Sequence, residues 1–440
     1  TPQRLAQLSR QGLITQGLAT YSNLIIVSSM PSRLTFMLTS YKRLFAVPGG
    51  WNFSFAGFIL RMPISMLYIA IVLFVVAETG SYALAGALSM VASLVLSVAT
   101  PLWSRVADQI GQNKVLSITA PVHLIFLGLF VYLVKSDAPT WSWFTSAIIF
   151  EAFVIGSGQM VRRRWIHVIG DDRKLIDTAY SFEALVDEVI FTSGPVLAAI
   201  TASYFFPEAA IFTAMGFISV GTLLFLSQRK TQPPAHPRQV GDDHSLLIKD
   251  RFIQALFIPM MAVGAFFGST GLVLVGYLDE FGIREYSGFY IAIWSFSSGI
   301  SAFISGSLHW KINEARRFVI SVFALALLTL PIYIAAQLFT GNLTILAIAL
   351  FLNGLGIAPL LTAGFAVAER SVSPKRTTEV LAWSISALNL GGAIPAAITG
   401  YIIDTYGSTV AFIVPVICML IALLSLLPFL SLWKAKVIQL

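Results

Sequence analysis

Apolar and polar positions along this chain fall in long blocks rather than in a short alternation. Twelve apolar runs stand out, at about 51–77, 81–103, 114–134, 141–162, 177–204 and 207–227, then 252–278, 285–307, 317–338, 342–368, 378–403 and 408–432. The hydrocarbon core of a bilayer is about 30 Å thick and a helix rises about 1.5 Å per residue, so about 20 apolar residues cross it. Each run is long enough. Continuous runs favour helices over barrel strands, which are shorter and alternate apolar with polar. The pattern predicts an all-α membrane protein with twelve transmembrane helices.

Composition agrees, with 57% hydrophobic and only 11% charged residues. No soluble globular chain reads this way. Twelve spans put both termini on one side. If that side is the cytoplasm, the inner segments collect nearly all the Lys and Arg residues, including Lys114, Arg162, Arg163, Arg164, Arg229 and Lys230, and only Lys135 and Arg284 fall outside. The expectation is a plasma (inner) membrane protein with both termini cytoplasmic. The net charge of +7 is then a topogenic signal and an attraction to anionic lipid rather than a nucleic-acid footprint. Trp51, Trp141, Trp143 and Tyr406, near span ends, fit interfacial anchors. The single cysteine, Cys418, reads as a small packing residue. The first residues lack a cleavable signal pattern, which leaves the first span as the insertion signal. Translation starting at Met30 or Met37 would remove part of the segment ahead of it.

The polar stretch from Arg229 to Asp250 carries Pro233, Pro234, Pro237 and Gly241 and reads as a flexible linker. Internal repetition supports a division there. Gly194-Pro195-Val196-Leu197-Ala198-Ala199-Ile200-Thr201 resembles Gly392-Ala393-Ile394-Pro395-Ala396-Ala397-Ile398-Thr399 at an offset of 198, and Gly156-Ser157-Gly158 matches Gly354-Leu355-Gly356 at the same offset. The expected organisation is a cytoplasmic tail over 1–49, a six-helix bundle over 50–228, a cytoplasmic linker over 229–251, a second six-helix bundle over 252–434 and a short tail over 435–440. Two pseudo-symmetric bundles with a solute path between them is a transporter plan.

Between the second and third runs lies Ser104-Arg105-Val106-Ala107-Asp108-Gln109-Ile110-Gly111-Gln112-Asn113-Lys114. Its Asp108-x-x-Gly111-Gln112-x-Lys114 resembles the signature loop of the major facilitator superfamily, with Ser104 in place of a glycine and Gln112 in place of an arginine. The second copy, Gly306 to Arg316, is more eroded, with Trp310 and Asn313 at the positions of the aspartate and second glycine. Physically, Gly111 permits a tight reversal, and Asp108 can bond backbone donors or face a helix N-terminus. The expected role of Asp108, Gly111 and Lys114 is a gating latch that holds the cytoplasmic ends of the two halves together. Gly194-Pro195-x-x-Ala198-Ala199 is similar to an element of drug and proton antiporters of that superfamily, with alanines for its last glycines. Small residues and a proline let a membrane helix bend and approach its neighbour. The chain also resembles actinobacterial-type exporters through Arg61-Met62-Pro63-x-x-Met66, Asp187-Glu188 and Thr378-Glu379-x-x-Ala382-Trp383.

Charges within a membrane are costly unless paired or facing an aqueous cavity. Four stand out: Arg61, Glu151, Asp187 and Glu188. The resemblance implies that spans one and five are neighbours and that span four borders the cavity, so Arg61 is expected to pair with Asp187 or Glu188, with Glu151 close enough to compete. Three acids against one arginine leave an excess of carboxylate, which suits proton exchange. Glu183 shares a helical face with Asp187 and adds repulsion if it is desolvated. The second half offers Trp294, Asn353 and Asn389 as possible substrate contacts. His123 is expected to be structural, and Glu78, Asp279, Glu280, Glu369 and Asp404 to cap helices or meet solvent. No metal-ligand spacing, phosphate loop or nucleophile motif is legible.

These features predict a secondary transporter, not an enzyme, with no cofactor beyond the proton gradient. It would work as a monomer in the bilayer by alternating access, exporting a small amphipathic or hydrophobic compound in exchange for protons. Nutrient uptake by proton symport is the alternative, and a non-transporting membrane sensor or lipid-handling scaffold on the same fold is the second alternative.

Overall fold

The computed structural model describes residues 41–235, 250–307, 312–372, 377–429 and 431–433. The tail before residue 41, the linker over 236–249, Trp310, the tail after 433 and the side chains of Thr378, Glu379 and Ala382 lie outside the described residues. Among the described residues every regular element is helical. Twelve helices are long and apolar enough to cross a membrane: Gly50–Thr79, Tyr82–Ile110, Gln112–Lys135, Thr140–Ile169, Arg173–Tyr204, Ala209–Ser227, Arg251–Glu280, Arg284–Ser305, Glu314–Leu338, Leu343–Arg370, Trp383–Tyr406 and Ser408–Phe429, numbered here as spans one to twelve.

Local chemistry sets where they begin and end. The side chains of Ser81, Asp172, Asp250, Asn313 and Asn342 accept backbone N–H groups in the first turns of spans two, five, seven, nine and ten, which satisfies donors a helix start leaves open. Gly111 turns the chain between spans two and three at φ 97°, a conformation that a side chain would oppose.

Two spans depart from the predicted continuity. Span four is helical over Thr140–Ala152, open at 153–156 and helical again over Ser157–Ile169, so it runs past the predicted end at 162. Span ten is helical over Leu343–Gly354 and resumes at Ile357. The two interruptions fall at the repeated glycine pairs, and mean hydropathy is blind to them. Carbonyls freed in span four are taken by side chains: Trp103 Nε1 donates to Ala152 O at 2.6 Å, and His123 Nδ1 lies 2.8 Å from Phe150 O. A carbonyl only accepts, so that ring nitrogen carries the proton and His123 is a packing histidine.

The packing repeats between halves. Span one lies against spans five and six as span seven lies against eleven and twelve, while spans two and five cross to spans eleven and eight. One face of the molecule, holding Lys114, Arg163, Arg164 and Arg229, is basic. Toward the opposite face the halves close on each other. Gly86 of span two meets the backbone at Ala396 and Ala397, and Gly288 of span eight meets Pro195 and Ala199, each with no room for a Cβ. These are equivalent contacts, since Ala396 and Ala198 are repeat partners.

Hydrogen bonds reinforce this seam. Asp404, at the end of span eleven, accepts from Ser81 Oγ and from the backbone N–H groups of Tyr82 and Ala83 at the start of span two, each at 2.8 Å. Tyr82 Oη donates to Asp279 at 2.7 Å, and Tyr68 Oη of span one donates to Gly268 O of span seven at 2.9 Å. Asp404 is therefore a cap, as expected of a span-end acid, but it caps a helix of the other half. Trp143 is buried and donates to Leu133 O, so it packs within the bundle instead of anchoring at an interface.

Candidate functional site

The first half holds an ionic cluster between spans one, four and five. Arg61 is 1% exposed. Its Nε donates to Gly57 O at 3.0 Å, its Nη1 to Asp187 Oδ1 at 2.8 Å and its Nη2 to Glu183 Oε2 at 2.5 Å. Glu183, fully buried, also accepts from Ser54 Oγ at 2.6 Å and from Trp165 Nε1 at 2.7 Å. The second oxygen of Asp187 accepts from Arg162 at 2.6 Å. A buried charge is tolerable when it is paired and its remaining hydrogen-bonding capacity is filled, and here every group of the cluster meets that condition.

Small residues make the cluster possible. Gly57 lets Val161 approach span one, and Gly194 of span five sits against Ser65, whose hydroxyl donates to Ile190 O at 2.8 Å. Pro195, the next residue, offers its carbonyl edge to Gly288 of span eight. The Gly194-Pro195 element thus seats span five against both a neighbour in its own half and a partner across the seam.

The expected pairing of Arg61 needs correction. Asp187 is a partner, but the second is Glu183, one helical turn earlier, and not Glu188. Four residues make about 1.1 helical turns, so Glu183 and Asp187 share the face toward Arg61 while Glu188 points elsewhere. The count changes from three acids and one arginine to four acids and two, since Glu183 and Arg162 join, but the surplus of two carboxylates stays. Glu188 is directed across the seam, where its carboxylate approaches Gly299 of span eight. Glu151 is 8% exposed and lies two residues before the interruption of span four. Among the described residues no cation pairs with Glu151 or Glu188.

The signature-like loop is also placed differently from expectation. Asp108 forms an ion pair with Arg163 of span four, within its own half. In this conformation the carboxylate braces the first bundle, and the carboxylates that bridge the halves, Asp404 and Asp279, lie on the opposite face. Lys114 is exposed, and Gln112 is buried. Gln112 Oε1 accepts from Arg164 Nε at 2.9 Å. Arg164, with no exposed surface, further donates to Asn113 Oδ1 at 2.9 Å, Gln228 O at 3.0 Å and Thr231 Oγ1 at 3.2 Å, and lies 3.7 Å over the Phe225 ring. Where the family pattern has an arginine in the loop, this chain has a glutamine and receives the guanidinium from span four.

Arg162, Arg163, Arg164 and Trp165 are the residues that sequence reasoning missed. They looked like positive-inside loop charge because the apolar run ends at 162. The Glu183-x-x-x-Asp187 spacing was the available signal for the acid pair.

In the second half, Trp294 and Asn353 meet each other: Trp294 Nε1 donates to Asn353 Oδ1 at 2.7 Å, and Asn353 Nδ2 donates to Thr329 Oγ1 at 3.2 Å. Phe266 and Phe267 pack around the indole. Their polar groups tie spans eight, nine and ten. Asn389 is half-buried on span eleven beside the tight crossing with span seven, where Gly264 meets Leu388 and Gly391 meets Met261.

Residues 53–345 and 332–436 match the family model of the Major Facilitator Superfamily. The chain belongs to this superfamily. An uncharacterized MFS-type transporter, y4rN of Sinorhizobium fredii (strain NBRC 101917 / NGR234), is 22% identical over 400 residues, covering 88% of this chain and 96% of that protein. Among solved structures, the nucleoside transporter NupG superposes with a TM-score of 0.65 at 15% identity over 88% of this chain and 99% of its own. A POT family transporter in complex with a thioalcohol-conjugated peptide superposes with a TM-score of 0.66 at 14% identity, covering 88% of this chain and 96% of its own. This major facilitator protein is a multi-pass membrane transporter and not an enzyme, and its expected partner is a small-molecule substrate.

Proposed function

We propose that this protein is a proton-coupled secondary transporter that exports a small amphipathic or hydrophobic compound by alternating access, as a monomer and without a cofactor. One observation carries the reading: Glu188 adjoins a balanced Arg61–Glu183–Asp187–Arg162 cluster, lacks a cation of its own among the described residues and reaches toward Gly299 on the facing half. A carboxylate at a seam between two moving halves, next to a fixed charge network, is placed to exchange a proton when the halves part. Glu151, at the interruption of span four, is the second candidate for that exchange.

The direction of transport rests on the antiporter-like Gly194-Pro195 element. The basic face is assigned to the cytoplasm by its Lys and Arg residues. The conformation described is then sealed toward the exterior by the Gly86, Gly288 and Asp404 contacts. Proton-linked uptake is the alternative reading, favoured by fold neighbours that include nucleoside and peptide transporters.

The test starts from a susceptibility and metabolite-accumulation screen of a strain lacking the gene, which supplies a solute. Reconstituted protein is then assayed for solute-driven pH change in vesicles. Glu188→Gln should retain solute exchange while losing most of the proton movement. Undiminished proton movement in Glu188→Gln, Glu151→Gln and Asp187→Asn alike would sink the assignment.

A further inference from the structure

On the basic face, away from the seam, a cavity of about 500 Å³ opens between the start of span three, the end of span six and the segment that follows. It is lined by Asn113, Lys114, Ser117, Leu226, Arg229, Gln232, Pro233 and Pro234. Its wall is built. Asn113 Nδ2 donates to Leu226 O at 3.1 Å, the Asn113 N–H donates to Gln232 Oε1 at 3.3 Å, and behind them stands the buried guanidinium of Arg164.

The charge here is one-sided. Arg164 is held by neutral acceptors alone. Two cations, Lys114 and Arg229, line the cavity and a third, Arg164, is buried behind its wall, and no carboxylate among the described residues pairs with any of them. The ion pairs elsewhere on this face, Arg43 with Asp172 and Arg370 with Glu314, make the contrast plain.

The cavity also leads somewhere. From Lys114 the same face of span three continues through Ile118 and Ile125, both more than half exposed. From Leu226 the facing stripe of span six continues through Leu223, 69% exposed, to Gly216, beside which there is open space. An exposed apolar strip therefore runs from the basic cavity along the outer flank of the first bundle. A soluble anion has no use for such a strip. A molecule with an anionic head and long apolar chains fits both parts.

We propose that this cavity is a binding site for an anionic membrane phospholipid, whose phosphate lies against Lys114 and Arg229 and whose acyl chains lie along the exposed apolar residues of spans three and six. Basic pockets between membrane helices recognise such headgroups by charge and by hydrogen bonds to phosphate oxygens. The site joins Asn113 of the signature-like loop to Gln232 of the connecting segment, so an occupant rests on the first bundle and the start of the linker at once.

The test is lipid titration of the purified full chain in detergent, read by native mass spectrometry, with phosphatidylglycerol, phosphatidylcholine and inorganic phosphate in separate arms. Wild type should retain phosphatidylglycerol and not phosphatidylcholine. Each surface cation contributes about fivefold to anionic-lipid affinity, so Lys114→Gln with Arg229→Gln should weaken phosphatidylglycerol binding by about thirtyfold. Lys135→Gln, which removes a cation on the opposite face, should leave it unchanged. If the double variant does not fold, Arg229→Glu alone carries the same test, since Arg229 is exposed and has no side-chain partner among the described residues. Equal binding by wild type and variant, equal retention of phosphatidylcholine, or displacement of phosphatidylglycerol by millimolar inorganic phosphate would each overturn the proposal.

Discussion

Asp404→Asn should loosen the seam between the halves. In the closed arrangement one carboxylate accepts three hydrogen bonds, from Ser81 Oγ and the Tyr82 and Ala83 N–H groups, and faces the positive end of span two. Asparagine keeps one acceptor oxygen and forfeits the charge and the second oxygen. A hydrogen bond to a charged group contributes about 1.5–3 kcal/mol, and the exposed position of Asp404 argues for the lower end. A loss of about 1.5 kcal/mol from the closed state alone shifts the closed-to-open ratio about tenfold. Spin labels at Tyr204 and Leu338, exposed positions on the seam face in opposite halves, report the separation directly in a Cys418→Ala background. The expected result is growth of a longer-distance population in Asp404→Asn, larger still in Asp404→Ala. An unchanged distance distribution in both variants would refute the idea that this carboxylate holds the halves together.

Gly288→Leu should act in the same direction, because a side chain there collides with the Pro195 carbonyl and Ala199; the same labels should report separation, and Gly216→Leu, in open space, should not change it. Arg61→Leu leaves Glu183 buried without its charged partner, a loss of about 3–5 kcal/mol, and should lower the melting temperature far more than Arg43→Leu at an exposed pair. Asp108→Asn and Arg163→Gln each remove one partner of a half-exposed pair, so each should alter stability by less than about 1 kcal/mol, and a double-mutant cycle in chemical denaturation should return a coupling of that size.

Twelve spans and their pairing into halves were legible because each span declares itself by length and hydropathy, without reference to any other. The charged core was half legible. Arg61 and Asp187 were visible as costly intramembrane charges, and they do meet. Glu183 was visible only as a neighbour of Asp187, since its role depends on how span five is rotated against span one. Arg162 to Trp165 were hidden by the end of an apolar run, which marks where hydropathy falls and not where a helix stops. The partner of Asp108 was unreadable for the same reason: which helix a loop carboxylate reaches is a matter of tertiary packing. Asp404 was read as a cap, and only the packing of the two halves says whose.

A helix advances about 100° per residue, so successive side chains leave it in different directions. In the half-helix Ser157–Ile169, four in a row find four destinations: Arg162 reaches Asp187, Arg163 reaches Asp108, Arg164 reaches Gln112 and Asn113, and Trp165 reaches Glu183. The half-helix is pinned like an axle with spokes on every side. Rolling it would break all four attachments together, so the basic end of the first bundle must travel as a single rigid body. The opening at 153–156, which no such attachment crosses among the described residues, is where that body ends. Glu151 stands on the other side of that boundary, on a half-helix held instead by Trp103 and His123 of spans two and three.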